Sequence, residues 1–450
     1  MTQQLQPALA DGDRFPVSHP QRVWCGLAEA GAFGPRFIIA RGFRVTGRVD
    51  VAALQAALDD VVARHELLRT IVVHDAEPPY QRVYPPSPVP LEVRDLLPDA
   101  ERTRDHIAED LLTEAEDGSL DVLELPLLRA GLARFDDEDA VFTLTTHHMA
   151  CDGWSLQLIL RDLSTYYAAR VSRRTPVLPP VLQYREFAIW QQQYLAGPEA
   201  AKSLEYWNAT LADGQIFALP NDRPVPAKRS RPYAEHDFTV EAEIIAELAG
   251  YAKRIRCSMF MVILATFNVF VHRLLGTIDP MIETIIHGRG HPEFTNTVGP
   301  LMNQLPLRTS LADCVTVTDV ARATRRSCLD GFSHELPIQY IAEAIPHIGD
   351  PLEDPRNSEF TLGLFEAPFG HGVLKLADRT TEIHKAVRKT PQNPGGVVLS
   401  LSTRSAGELF GCLEYSPEEF DADTVALWMT DYSGLIRRMV AGADRDWRRL

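Results

Sequence analysis

Residues Thr146–Leu160 read THHMACDGWSLQLIL. Two adjacent histidines close a β-prone run, Ala140–Thr146. A helical pattern opens after Gly153, with Leu156, Ile159, Leu160 and Leu163 on one inner face. Successive side chains of a strand point to opposite faces, so His147 and His148 must diverge. One of them enters the crevice beyond the strand end, and the other is tucked against the sheet or the following helix. Asp152 can orient a ring or hold the loop.

Working outward, Leu127–Phe135 is a second β-prone run, joined to Ala140–Thr146 through the acidic turn DDED. Phe37–Val45 is strand-like, and Asp50 precedes a helical pattern at Val51, Leu54, Ala57, Leu58, Val61 and Val62. SRRTPVLPP, Ser172–Pro180, mixes charge with prolines and reads as a linker. Beyond it the pattern predicts a helix at Tyr206, a strand at His236–Val240 and a helix from Ala242. A buried helix from Cys257, a strand at Asp279–Ile286, a hairpin from Val397 and a helix from Ala422 follow. The chain thus reads as two α/β halves, 1–175 and 181–450. A length of 450 residues agrees, because single cores stop growing well below it.

The composition, 45% hydrophobic and 24% charged, is that of a globular protein. A formal charge of −16 argues against a nucleic-acid partner, since phosphate binding needs a basic face. Six scattered cysteines with no CxxC pair suit free thiols in a reducing cytosol. The N-terminal stretch has no basic segment leading into an apolar one, and the apolar run from Cys257 is broken by Ser258, Thr266, Asn268 and His272. A soluble, acidic, cytoplasmic protein with no membrane span is expected.

HHxxxD offers three metal-ligating side chains, but the strand sends the rings apart and no further cluster completes a site, so no metal is expected. There is no GxSxG elbow, no GxxxxGK[ST] loop and no GxGxxG. Chemistry alone reaches a histidine base or hydrogen-bonding group in a crevice.

His147-His148-Met-Ala-Cys-Asp152-Gly153 resembles the HHxxxDG signature of nonribosomal peptide synthetase condensation domains, shared across chloramphenicol acetyltransferase-like enzymes. SHPQRVW (from Ser18), RHELLRT (from Arg64), YREFAIWQQQYL (from Tyr184) and EYWNATLADG (from Glu205) resemble other motifs of the family. So do VGPLMNQLPLR (from Val298), HELPIQYI (from His334) and DPRNSEF (from Asp354), in family order across residues 18 to about 420.

The resemblance implies two chloramphenicol acetyltransferase-like α/β sandwich lobes forming a V around a central tunnel, with the histidine loop at its centre. A floor loop at Gly299–Arg308 and a latch near Lys389–Val398 cross between the lobes. No bound cofactor is implied: the donor acyl or aminoacyl group arrives on the phosphopantetheine of a carrier protein. The acceptor is a small molecule or carrier-bound. Nothing resembles an adenylation or carrier segment, so the expectation is a free-standing enzyme making an amide or ester in antibiotic biosynthesis, such as enediyne-type pathways. Arg170–Arg174 is a candidate carrier-docking patch.

On this resemblance His148 faces the tunnel, taking a proton from the nucleophile or positioning it, and the Gly153 N–H approaches the oxyanion. His147 is structural, and Asp152 pins the loop by pairing with Arg289, or alternatively with Arg69 or Arg356. Trp154, Asn303, Arg64, Arg69 and Arg356 are candidate channel or motif residues; for Trp154 and Trp207 packing is the preferred reading, and for Arg64 and Arg356 an ion pair is the alternative. Heterocyclisation domains carry DxxxxD instead of the histidines, and epimerisation domains need a glutamate that IIHGRGHP lacks. Plant-type acyltransferases carry DFGWG, where Glu366–Gly370 reads EAPFG. A coenzyme A-dependent acyltransferase is the second reading, and a non-catalytic recruitment domain the third.

Overall fold

A computed structural model describes residues 14–29, 37–99, 101–226, 234–365, 372–384, 396–404, 406–441 and 443–450. The start of the chain, segment 366–370 and most of the expected latch, including Lys389, lie outside the described residues.

In chain order the elements are β1 (Arg14–Pro16), α1 (His19–Glu29), β2 (Ile38–Thr46), α2 (Val51–Arg64), β3 (Thr70–Val73), β4 (Tyr80–Val83), β5 (Leu91–Asp95), α3 (Arg104–Glu116), β6 (Leu128–Asp136), β7 (Asp139–His147), α4 (Gly153–Ser172) and α5 (Tyr184–Leu195). They continue with α6 (Pro198–Leu211), β8 (Ala218–Pro220), β9 (Ala234–Val240), α7 (Ala242–Arg254), α8 (Met259–Leu275), β10 (Met281–Ile286), β11 (Asn303–Arg308), α9 (Val317–Ser333) and α10 (Ile338–Ala344). The last are β12 (Asn357–Phe365), β13 (Arg379–Glu382), β14 (Val397–Thr403), β15 (Leu409–Tyr415) and α11 (Ala422–Ala441). The strands and helices expected around the histidine pair are present within a residue or two of their expected bounds.

The compact units do not follow chain order. One contains residues 1–194, 291–301 and 372–387; the other contains 195–290, 302–371 and 388–450. This corrects the expected division at 175/181, and the cause is apolar burial. Tyr184 and Phe187 of α5 sit beyond the proline-rich linker yet join the first unit's core, as do Phe294, Val298, Leu301, Leu374 and Leu376.

The first unit is built on a five-stranded sheet of order β13-β2-β7-β6-β5, antiparallel except for the parallel pair β5–β6. The apolar faces of α2 and α4 share one core with Ile39, Phe43, Leu132, Phe142 and Leu144. Asp50 caps α2 through the amide of Ala53, as its position before the apolar pattern predicts. Helix α3 packs Ala108 and Leu111 with Ala133 and Val141. A smaller sheet, β1-β4-β3, completes the unit.

In the second unit the sheet order is β11-β10-β12-β14-β15-β9. Helix α8 carries a buried run from Met261 to Val271, with Phe267 stacked on Phe360 at 4.8 Å. Its apolarity is therefore spent on a protein core, as expected for the run from Cys257. Among the described residues no single helix is long and apolar enough to cross a membrane.

Candidate active site

Strand β7 pairs with β2 up to Ile38↔His147, and the backbone of His148 continues the ladder with a 2.9 Å bond from its N–H to the Phe37 carbonyl. His147 thus ends the strand, and His148 opens a turn that the Ala150 N–H closes on the His147 carbonyl at 2.9 Å. His147 is fully buried, and its Nδ1 accepts the Met149 amide at 3.0 Å. His148 is partly exposed, with its ring 6.0 Å from that of Trp24 on α1. Burial, then the neighbouring His147, pulls the His148 imidazole down to about 4. At neutral pH it is an uncharged base.

Four residues later the chain enters α4. Asp152 is its N-cap: the carboxylate accepts the Ser155 amide at 2.7 Å through Oδ1 and the Leu301 amide at 3.1 Å through Oδ2. The carboxylate is buried and anchored on backbone. These two amides help pin the loop, the role expected of Asp152. Arg289 is buried, and its Nη1 donates to the His287 carbonyl at 2.9 Å. Arg69, one alternative, donates to the Tyr84 carbonyl and lies 3.7 Å from Glu66. Arg356, the other, is exposed and pairs with Asp354 at 2.6 Å.

Gly153 is the first residue of α4, so its N–H has no carbonyl one turn back to bind and projects from the positive end of a 20-residue helix. A Cβ placed on Gly153 would meet no atom within 4 Å, and its φ is not positive. Neither packing nor backbone conformation requires glycine here. A helical amide with no intrahelical acceptor is what an oxyanion needs.

The remaining candidates are occupied by protein partners. Trp154 donates through its indole N–H to the Thr295 carbonyl at 3.0 Å. Trp207 is buried, with its N–H on the His334 carbonyl. Asn303 bonds the Leu336 carbonyl at 2.9 Å and the Glu335 carboxylate at 3.3 Å. Arg64 closes α2 by bonding Asp162 at 2.8 Å. Asp162 is the residue that sequence reasoning missed. It is fully buried on α4 and also receives His65 at 3.0 Å and Arg161 at 2.7 Å. Burial pushes its pKa up, yet His65 and Arg161 outweigh that and hold it below the usual carboxylate range. Its position on the inner face of an amphipathic helix, among leucines, was the available signal.

Asp152 and His147 direct oxygens and Nδ1 at backbone amides, so HHxxxD is not assembled as a ligand set. Among the described residues Glu235, Cys412 and Glu414 of the second unit bring ligand atoms within 4.8 Å of one another. Burial and the surrounding carboxylates raise the Cys412 thiol far above its ordinary value, which leaves it protonated and a poor ligand. In the candidate docking patch, Arg170 is already paired with Asp60 at 2.6 Å, while Arg173 and Arg174 are exposed.

Comparison with known proteins places this geometry. The Condensation domain family matches residues 12–352. The chain belongs to the condensation-domain family, with the mixed α/β, chloramphenicol acetyltransferase-like fold of its solved members. It is similar to SgcC5 of Streptomyces globisporus, solved with (R)-(-)-1-(2-naphthyl)-1,2-ethanediol and sucrose: 34% identity, 96% of this chain, 100% of that one, TM-score 0.85. It also resembles the X-domain from teicoplanin biosynthesis, at 25% identity and TM-score 0.79, covering 98% of each chain. Chondramide synthase of Chondromyces crocatus is 30% identical over 439 residues, 96% of this chain and 11% of that protein. The chain spans only 5% to 11% of the length of the first curated relatives it matches, which include large peptide synthetases.

Proposed function

We propose that the chain is a cytoplasmic, free-standing condensation enzyme of peptide-antibiotic metabolism. It moves an acyl or aminoacyl group from a carrier-protein phosphopantetheine thioester to a small acceptor, preferentially a hydroxyl. The observation that carries this reading is the partly exposed, uncharged His148 four residues ahead of a capped helix whose first amide, that of Gly153, has no intrahelical acceptor. His148 removes the proton as the acceptor oxygen attacks the thioester carbonyl, a role worth roughly 10²–10⁴ in rate. Gly153 N–H donates to the oxyanion of the tetrahedral intermediate. Collapse breaks the carbon–sulfur bond, and the departing phosphopantetheine sulfur recovers the proton from His148. An ester and a free carrier thiol result.

A hydroxyl acceptor is favoured because an alcohol must lose its proton as it attacks, whereas an amine attacks neutral; a neutral base at His148 therefore serves an alcohol better. The vicinal diol bound to SgcC5 supports the same class. The likeness to SgcC5, which covers 100% of that solved chain, supports the condensation reading.

The test supplies an acyl carrier protein, then an acyl-coenzyme A, each with aryl diol and amine acceptors, and weighs the products by intact mass. Carrier-dependent acylation of the diol is expected. Transfer only from coenzyme A would replace the carrier-dependent reading, and binding without turnover would replace catalysis with recruitment.

A further inference from the structure

Beyond the histidine loop, segment 291–301 is fastened to the start of α4 by one buried side chain. The Ser155 hydroxyl donates to the Gly299 carbonyl at 2.8 Å and accepts the Gly299 amide at 2.9 Å. A single oxygen satisfies both polar groups of one residue, 144 positions away. On its other side Gly299 lies against the ring of Tyr184: a Cβ there would fall 2.0 Å from Cδ2, so only glycine fits. The Tyr184 hydroxyl donates to the Pro300 carbonyl at 3.0 Å. Its single proton being used, it accepts from Ser18 at 2.6 Å, which ties in the start of α1. Leu301 N–H on Asp152, Thr295 carbonyl on Trp154 and Asn296 on Arg161 complete the attachment. Ser18, Ser155, Tyr184, Thr297, Val298 and Leu301 are all buried.

We propose that Ser155 is a positioning residue: by clasping Gly299 it fixes the first turn of α4, and through that turn sets the Gly153 amide against His148. This deepens the condensation reading and rests on it. Only residues 149–152 separate His148 from the turn that Ser155 holds, so a displacement of the turn moves the two reacting groups relative to each other. A misplacement near 1 Å lowers rates about 10²-fold.

The experiment compares the parent with Ser155→Ala, Tyr184→Phe and the double variant by amide hydrogen exchange and by kcat and KM for donor and acceptor. Ser155→Ala is expected to speed exchange at Gly299 and Leu301 at least tenfold. It should lower kcat tenfold or more with both KM values within about twofold. Tyr184→Phe keeps the ring against Gly299, and its effect on kcat should be less than additive with that of Ser155→Ala. Faster exchange with an unchanged kcat would make the clasp purely structural and overturn the proposal, as would unchanged exchange. A parent that transfers no acyl group to any acceptor would overturn the functional reading beneath it, whatever the exchange data show.

Discussion

Asp152 and Leu301 are 149 residues apart, yet Oδ2 of the first accepts the amide of the second at 3.1 Å while Oδ1 caps α4. One carboxylate thus holds a helix start and a distant loop in register.

Asp152→Ala removes the cap, worth about 1 kcal/mol, and strands a buried amide at about 1–3 kcal/mol. Stability should fall by about 2–4 kcal/mol, with soluble yield and activity falling together. Urea denaturation of the purified variant checks this. A variant that unfolds like the parent but is inactive would make Asp152 catalytic.

Gly153→Ala meets nothing within 4 Å, so its unfolding midpoint should match or exceed the parent's. Its kcat should fall at least tenfold, because the added methyl stands beside the amide assigned to the oxyanion. Full activity in this variant would remove Gly153 from the oxyanion role.

The uncharged state of His148 has a kinetic signature. An ordinary imidazole titrates near 6.5, but this one is pulled to about 4. The acid limb of kcat/KM should therefore fall near pH 4–5 and leave the rate flat from pH 6 to 8. A limb at 6.5 that disappears in His148→Gln would show a solvated ring.

The same shift acts on stability, together with that of His65, which burial lowers despite the Asp162 bond. Both rings bind protons more weakly folded than unfolded. Their contribution is present above 6.5, the unfolded value, and is lost as pH falls towards about 4. Between pH 7 and pH 5 the parent should lose about 1–2 kcal/mol through His148, and His148→Ala correspondingly less. Equal slopes in the two proteins would contradict this.

The fold around His147 and His148 was legible because strand alternation, the DDED turn and the α4 pattern are local signals. The helix α2 and its Asp50 cap followed from the same kind of local reading. The Leu301 amide as a partner of Asp152 was not legible, because that bond depends on a loop 149 residues away. The unit boundary failed for a related reason. Prolines mark where the backbone bends, but Tyr184 and Phe187 bury their rings in the core that precedes the linker. Asp162 escaped notice because periodicity counts the leucines around it and passes over the one charge.

The central claim is that the His148 imidazole drives acyl transfer, and it is tested most directly by single-turnover transfer from an acyl carrier protein to a diol acceptor, parent against His148→Ala. Loss of product by 10²-fold or more is expected, with carrier affinity unchanged and the variant folded. Product formation at the parental rate by the folded His148→Ala protein would contradict it.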